Sequence, residues 1–192
     1  GFSHTCAIRS SGQAVCWGNG DDSRLGDGSS ADNLIPGDVT DLSDAVTISA
    51  GLRHTCAIRA SGQAVCWGNG DDYRLGNNST DDQLTPSNVS HLTNARSIKA
   101  GSSHTCAIRA GGQAVCWGRS TEYQTGDGDT ATNTTPSSVT NLSDAVALSA
   151  GSIFNCAVRS SGEAVCWGSG TYNRLGDDST SNNPIPGPVS TP

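Results

Sequence analysis

A step of 50 residues governs this chain. Cys6, Cys56, Cys106 and Cys156 keep it, as do Cys16, Cys66, Cys116 and Cys166, and Trp17, Trp67, Trp117 and Trp167. Pro36, Pro86, Pro136 and Pro186 follow, and so do Val39, Val89, Val139 and Val189. The period absorbs all 8 cysteines and all 4 tryptophans. In such a repeat each unit is too small to bury its own apolar face, so cores form between neighbours. The chain divides into units 1–50, 51–100, 101–150 and 151–192, read together as one repeat domain.

Each unit carries strand signals and no helical period. Ala45–Ala50 alternates apolar and polar residues around a β-branched centre, and His4–Arg9 and Gln13–Gly18 flank Ser10-Ser11-Gly12. A weaker strand surrounds Pro36–Val39, where proline predicts a sheet edge. The expected fold is all-β: a propeller-type radial array of four antiparallel blades of ~50 residues. With 24 Gly, 34% apolar and 15% charged residues, the chain has the composition of a turn-rich fold with little core per unit.

The turn sets the register. A three-residue hairpin loop ends in the left-handed region, which Gly12 enters without strain. Arg9 then faces Gln13, and Cys6 falls opposite Cys16, whereas a two-residue loop would set Cys6 against Trp17. Opposed positions of an antiparallel pair are within disulfide reach. The expected bridges are Cys6–Cys16, Cys56–Cys66, Cys106–Cys116 and Cys156–Cys166. Metal binding is the rival, but no C-x-x-C pair occurs. Disulfides imply an oxidising compartment, so the chain is expected to be secreted or at the cell surface.

The run GxxHTCAIRxxGQAVCWG, then RLG in three units, then P..V and LSDAVxISAG, resembles the regulator of chromosome condensation repeat family. Its paired cysteines look like a bacterial secreted branch. The resemblance implies four-stranded propeller blades with ISAG near the central axis, and protein binding through loops at one end of the ring. Members include a nuclear exchange factor for a small GTPase and a secreted β-lactamase inhibitor. This acidic chain lacks the long insert that would wedge into a GTPase. The family's usual ring has about seven blades, so four are expected to be incomplete as a ring. Unit four lacks the equivalent of Ser43–Ala50, and unit one begins just after the place of such a strand, so a strand is expected to be missing at both ends.

Comparison of the units with one another separates frame from variation. The hairpin hardly changes. The segment after Trp-Gly does: Asn19–Ser23 becomes Asn69–Tyr73, Arg119–Tyr123 and Ser169–Asn173. The pair before the histidine position also varies, as Phe2-Ser3, Leu52-Arg53, Ser102-Ser103 and Ser152-Ile153. A fixed frame with changing loops fits a binding surface, and equally fits drift in solvated loops. On composition the contact residues are Tyr73, Tyr123, Tyr172, Arg53, Arg74 and Arg119.

Other chemistry finds little footing. His4, His54 and His104 share a slot that holds Phe154 in unit four, which argues for packing and hydrogen bonding. No Gly-x-Ser-x-Gly elbow occurs, and repetition works against a triad of unlike residues. Asp21-Asp22 and Asp27 lack the order of a calcium loop, and other units lose acids there, so no metal and no cofactor are expected. Glycan acceptor patterns stand at Asn77, Asn78, Asn88, Asn133 and Asn141. A net charge of −7 disfavours nucleic acid. No apolar run approaches the roughly 18–20 residues of a membrane span. A start at Gly1 without a methionine reads as a processed or cut chain.

The expected function is a non-enzymatic, secreted repeat scaffold. It binds a protein, or copies of itself head-to-tail, or packs against further blades of a longer precursor. A structural subunit of an extracellular filament or surface assembly is the alternative, and an enzyme with a site in the central channel comes last.

Overall fold

The computed structural model describes residues 1–190. Its strands form four antiparallel sheets. The first contains β1 (His4–Ile8), β2 (Ala14–Gly18) and β3 (Asn33–Asp38). The second contains β4 (Ala45–Ala50), β5 (His54–Arg59), β6 (Ala64–Gly68) and β7 (Gln83–Asn88). The third contains β8 (Ala95–Ala100), β9 (His104–Arg109), β10 (Ala114–Gly118) and β11 (Asn133–Ser138). The fourth contains β12 (Ala145–Ala150), β13 (Phe154–Arg159), β14 (Ala164–Gly168) and β15 (Asn183–Pro188). Between strands, short 3-10 turns lie at Asp21–Ser23, Asp71–Tyr73 and Thr171–Asn173. The described residues contain no helix long and apolar enough to cross a membrane.

Each sheet runs in chain order as a meander, so the strand that ends one sequence unit opens the next sheet. β4 pairs with β5, placing Ser49 opposite Cys56. This corrects the expectation of a strand missing at both ends. The fourth sheet has its full four strands, and only the first is short, because its inner strand would come from the preceding unit. The last two residues of the fourth unit lie outside the described residues.

The hairpin register follows the turn. Gly12 has φ +90° and donates to the Arg9 carbonyl at 2.8 Å, and Arg9 N donates to Gln13 O at 2.9 Å. Cys6 then pairs with Cys16, Ala7 with Val15 and Thr5 with Trp17. Counting from the bonded Arg9–Gln13 pair, the cysteines occupy a non-bonded rung, where Cα atoms approach to ~4.5 Å and side chains are closest. The four bridges join Cys6–Cys16, Cys56–Cys66, Cys106–Cys116 and Cys156–Cys166, each with Cα atoms 4.1 Å apart. Pro36, Pro86, Pro136 and Pro186 all lie in the outermost strand of their sheet, where a missing N–H costs no ladder bond.

The cores lie between blades. One unites Leu25 and Val39 of the first blade with Ala57, Val65 and Trp67 of the second, and two further cores repeat the pattern. Trp67, Trp117 and Trp167 are fully buried, each beneath the preceding blade. Trp17 has no preceding blade and is only half-buried.

Candidate protein-interaction face

At one end of every blade the two variable segments are tied together. Asn19 N donates to Ser3 O at 3.0 Å, Asn69 N to Arg53 O at 3.0 Å, Arg119 N to Ser103 O at 2.9 Å and Ser169 N to Ile153 O at 3.0 Å. The residues that change most between units thus form one contiguous rim, carried on hairpins that hardly change.

A tight turn follows each tie. Ser23 N donates to Gly20 O, and Arg24 N to Asp21 O. The turn forces side-chain-bearing residues into the left-handed region: Asp22 at φ 56°, Tyr73 at 58°, Tyr123 at 61° and Tyr172 at 62°. Such backbone persists only where its surroundings hold it. The arginine of the RLG motif does much of the holding. Arg74 Nε donates to Asp71 O at 2.7 Å, Nη1 to Ser102 O of the next blade at 3.2 Å, and Nη2 to Asp72 at 3.1 Å. Arg24 repeats the arrangement through Asp21 O, Leu52 O and Asp22. In the third blade Gln124 stands in, its Oε1 accepting from Glu122 N at 2.8 Å.

The expected contact residues therefore divide. Arg53 and Arg119 are exposed on the rim, and Tyr172 is 91% exposed. Arg119 Nε donates to Thr121 Oγ1 at 2.9 Å, and Arg53 Nε lies 4.0 Å from Asp22 of the preceding blade. Tyr73 and Tyr123 are half-buried, and Tyr172 sits one repeat position earlier than they do. Arg74 is a correction: it is 4% exposed, and its guanidinium is spent on the turn and the next blade. Burial lowers its pKa. Its role was visible in the recurrence of Arg24, Arg74 and Arg174, since a residue that keeps its repeat position belongs to the frame. Arg174 of the last blade is less enclosed, and its guanidinium lies 5.6 Å from the Phe154 ring and 5.5 Å from the Tyr172 ring.

The histidines close the joints between blades. His54 Nε2 lies 2.8 Å from Thr105 Oγ1, and that hydroxyl lies 2.8 Å from Arg74 O. A carbonyl can only accept, so the threonine donates to it and accepts from His54 Nε2–H. His4 meets Thr55 in the same way, and His104 Nε2 donates to Asn155 Oδ1 at 2.9 Å. Nδ1 of all three is buried without a hydrogen-bond partner. Desolvation accordingly pushes His4 and His104 down to about 4, and His54 well below 6.5. Phe154 holds this slot in the blade with no successor.

The hollow at the inner edge is lined by Phe2, Leu52, Ser102, Ser152 and the Ala-Gly pairs at 50–51, 100–101 and 150–151. This places the ISAG segments at the axis side. Ser102 and Ser152 hydroxyls bond each other at 2.7 Å. Among the described residues no group of three or more His, Cys, Asp or Glu side chains is placed to hold a metal.

Solved structures share the fold. Human WBSCR16 is 18% identical with a TM-score of 0.87, over 99% of this chain and 51% of its own. Prp20p of Saccharomyces cerevisiae, described with its binding to Gsp1p and histones, is 22% identical with a TM-score of 0.88, over 98% of this chain and 49% of its own. The ectodomain of the receptor kinase CR4 from Physcomitrella patens is 24% identical with a TM-score of 0.55, over 86% of this chain and 38% of its own. The chain spans about half the length of the first two structures. No curated protein sequence matches it. The model of the regulator of chromosome condensation (RCC1) repeat matches residues 11–58 and 61–108, and a second model of that repeat matches 45–74 and 95–124. The chain belongs to the regulator of chromosome condensation (RCC1) repeat family.

Proposed function

We propose that this chain is a non-enzymatic protein-interaction scaffold of an oxidising, extracellular setting, its 192 residues acting as one repeat domain. One observation carries the reading: in each blade the two segments that vary are bonded side by side on a disulfide-locked frame. Arg53, Arg119 and Tyr172 are the exposed contact residues, with the half-buried Tyr73 and Tyr123 behind them. Exposed Tyr and Arg on a rigid support are the residue types that dominate binding energy at protein interfaces. The yeast relative's binding to Gsp1p and histones, and the receptor-kinase ectodomain's extracellular setting, agree with protein binding and with an extracellular place. The four disulfides support the same compartment. The inner hollow, lined by glycine, alanine, serine, Phe2 and Leu52, gives an enzyme little to work with.

The test is affinity capture from extracellular fractions with three baits: the native chain, a triple Arg53→Ala, Arg119→Ala, Tyr172→Ala variant, and a Val46→Ser control, exposed at the end of β4 away from the rim. Proteins held by the native chain and the control but released by the triple variant support the loop rim as the binding face. Equal retention by all three baits refutes it.

A further inference from the structure

The joint between the third and fourth blades lacks a part that the two joints before it have. At the first joint Arg24 fills the space between the rim turn and the next blade. Its Nε donates to Asp21 O at 2.7 Å, its Nη1 to Ser3 Oγ at 2.7 Å and its Nη2 to Asp22. Arg74 fills the second joint through Asp71 O, Ser102 O and Asp72. Both arginines are buried. The third unit reads Gln124-Thr125-Gly126 where the other three read Arg-Leu-Gly.

The turn keeps its form without the arginine. Tyr123 N donates to Ser120 O at 2.8 Å, and Tyr123 has φ 61° against 58° at Tyr73. Ser120 and Thr125 stand where the other units have glycine and leucine, and their hydroxyls lie 2.6 Å apart, tying the loop from inside. The loop does not collapse into the vacated space. A cavity of about 250 Å³ opens there between the two blades.

The counterparts of the three groups that hold Arg24 line this cavity. Ser103 stands for Ser3, Thr121 for Asp21 and Glu122 for Asp22. Ser103 Oγ and Thr121 O have no hydrogen-bond partner among the described residues. Glu122 Oε2 accepts from Asn182 Nδ2 at 2.7 Å, while its Oε1 meets no donor and the carboxylate pairs with no cation there. Gln124 is 1% exposed; its Oε1 is taken by Glu122 N, and its Nε2 donates to nothing among the described residues. Buried polar groups are ordinarily paired, so this set is short of a ligand. Ile153 lines one side and suits the aliphatic stem of a long side chain. Arg119 also lines the space, its Nε on Thr121 Oγ1. A second guanidinium beside one carboxylate has a precedent in the first joint, where Arg53 Nε lies 4.0 Å from Asp22 while Arg24 is bonded to it.

We propose that this cavity receives an arginine side chain of a partner protein, whose guanidinium takes the place that Arg24 and Arg74 hold in the sister joints. It donates to Glu122 Oε1, Ser103 Oγ and Thr121 O. A planar fork reaches several acceptors at once, which selects arginine over lysine. Arg119 and Gln124 Nε2 are left to bond oxygen atoms of the chain that carries the arginine. The inference rests on the loop rim being the binding face, and it names the chemistry that the partner brings there.

Titration of the native chain with Nα-acetyl-arginine amide, followed by amide chemical shifts, tests it without the partner. The signals of Ser103, Thr121, Glu122 and Gln124, with the Gln124 side-chain amide, should move together and saturate. The uncharged isostere Nα-acetyl-citrulline amide should bind roughly tenfold more weakly or worse, and Glu122→Gln should weaken the arginine probe by a similar factor. Gln124→Arg supplies the missing side chain from within. It should keep at least the native melting temperature, as Arg24 and Arg74 sit in the same frame, and it should abolish binding of the probe. No saturable shift at these residues, equal binding of the citrulline probe, or undiminished binding by Gln124→Arg overturns the proposal. A rim that captures proteins in the three-bait experiment yet takes no arginine probe would show that this inference fails while the binding face stands.

Discussion

The indole Nε1 of Trp67 donates to the backbone carbonyl of Arg24 at 3.0 Å, across the boundary between two blades. The same carbonyl takes Thr55 Oγ1, and the ring itself packs on Gly26. Each joint therefore has one buried aromatic side chain at its centre. Replacing a buried tryptophan by alanine typically costs ~3–5 kcal/mol. Trp67→Ala and Trp117→Ala should fall in that range in urea unfolding. Trp17→Ala, measured where the chain is a single copy, should cost less than half as much, since Trp17 is only half-buried. Equal losses at all three positions would contradict this account of the joints.

The disulfides act within hairpins rather than between them. In the chain-entropy model, closing a loop of this length is worth roughly 2.5–3 kcal/mol. Replacing Cys56 and Cys66 together by alanine should lower stability by about that amount. Native hydrogen exchange should show the loss centred on β5 and β6. Non-reducing peptide mapping should return four pairs, each within one blade. A pair that links two blades would break the hairpin picture.

The buried histidines make stability depend on pH. His104 is held neutral down to about 4, whereas in the unfolded chain it takes a proton near 6.5. Between these values the unfolded state binds more protons, so stability is full above pH 6.5 and falls as pH drops toward 4. His4 behaves in the same way, and His54 acts in the same direction, its burial reinforced by the charge of Arg74. One such shift corresponds to about 3 kcal/mol. His104→Gln keeps a donor toward Asn155 but does not titrate. The melting temperature of this variant should fall less between pH 7 and pH 4.5 than that of the native chain. An unchanged slope would remove His104 from the account.

Arg74 and Arg53 should separate frame from surface. Arg74 makes three charge-assisted bonds within 4% exposure, so Arg74→Ala should cost about 1.5–3 kcal/mol. Arg53→Ala removes an exposed side chain and should stay within ~0.5 kcal/mol of the native chain. Thermal melts of the two variants decide, and comparable losses would mean that Arg53 also belongs to the frame.

Much of this was legible in the sequence because the turn and the cysteines constrain each other. Gly12 selects a three-residue loop, that loop sets Cys6 against Cys16, and the sheet has this register. The outer strand was legible from Pro36. Two matters were not. A linear repeat does not say which neighbour a strand joins, so Ala45–Ala50 reads as the end of the first unit although it opens the second sheet. Side-chain type alone also places Arg74 and Tyr73 among exposed contacts. The left-handed turn at Asp72 and Tyr73 doubles the loop back, drawing Arg74 inward toward Ser102 O and leaving Tyr73 half-buried. Most bonds of that turn are local, from Tyr73 N to Gly70 O and from Arg74 to Asp71 O and Asp72, but the Ser102 O that anchors Arg74 belongs to the next blade, which side-chain type alone does not reveal.

The glycine that ends the RLG motif offers the sharpest test of the joints. Gly76 has φ +69° and Gly176 has φ +67°, so alanine meets the same backbone strain at both. Their surroundings differ. A Cβ on Gly76 would lie 2.5 Å from Trp117 Nε1, whereas a Cβ on Gly176 meets only Val189, at 3.0 Å. The tryptophan at the first site is 0% exposed and hydrogen-bonded to Arg74 O, so it cannot yield without opening the joint. Gly76→Ala should therefore destabilise the chain by more than Gly176→Ala, and the excess should be of the size of an overpacked core, ~1–3 kcal/mol. The two variants share the strain of a left-handed alanine, so the difference isolates the clash with the next blade. Urea unfolding of both at a concentration where the chain is a single copy gives the comparison. Equal destabilisation would mean that backbone strain alone fixes glycine at this position, and that the contact with Trp117 contributes nothing.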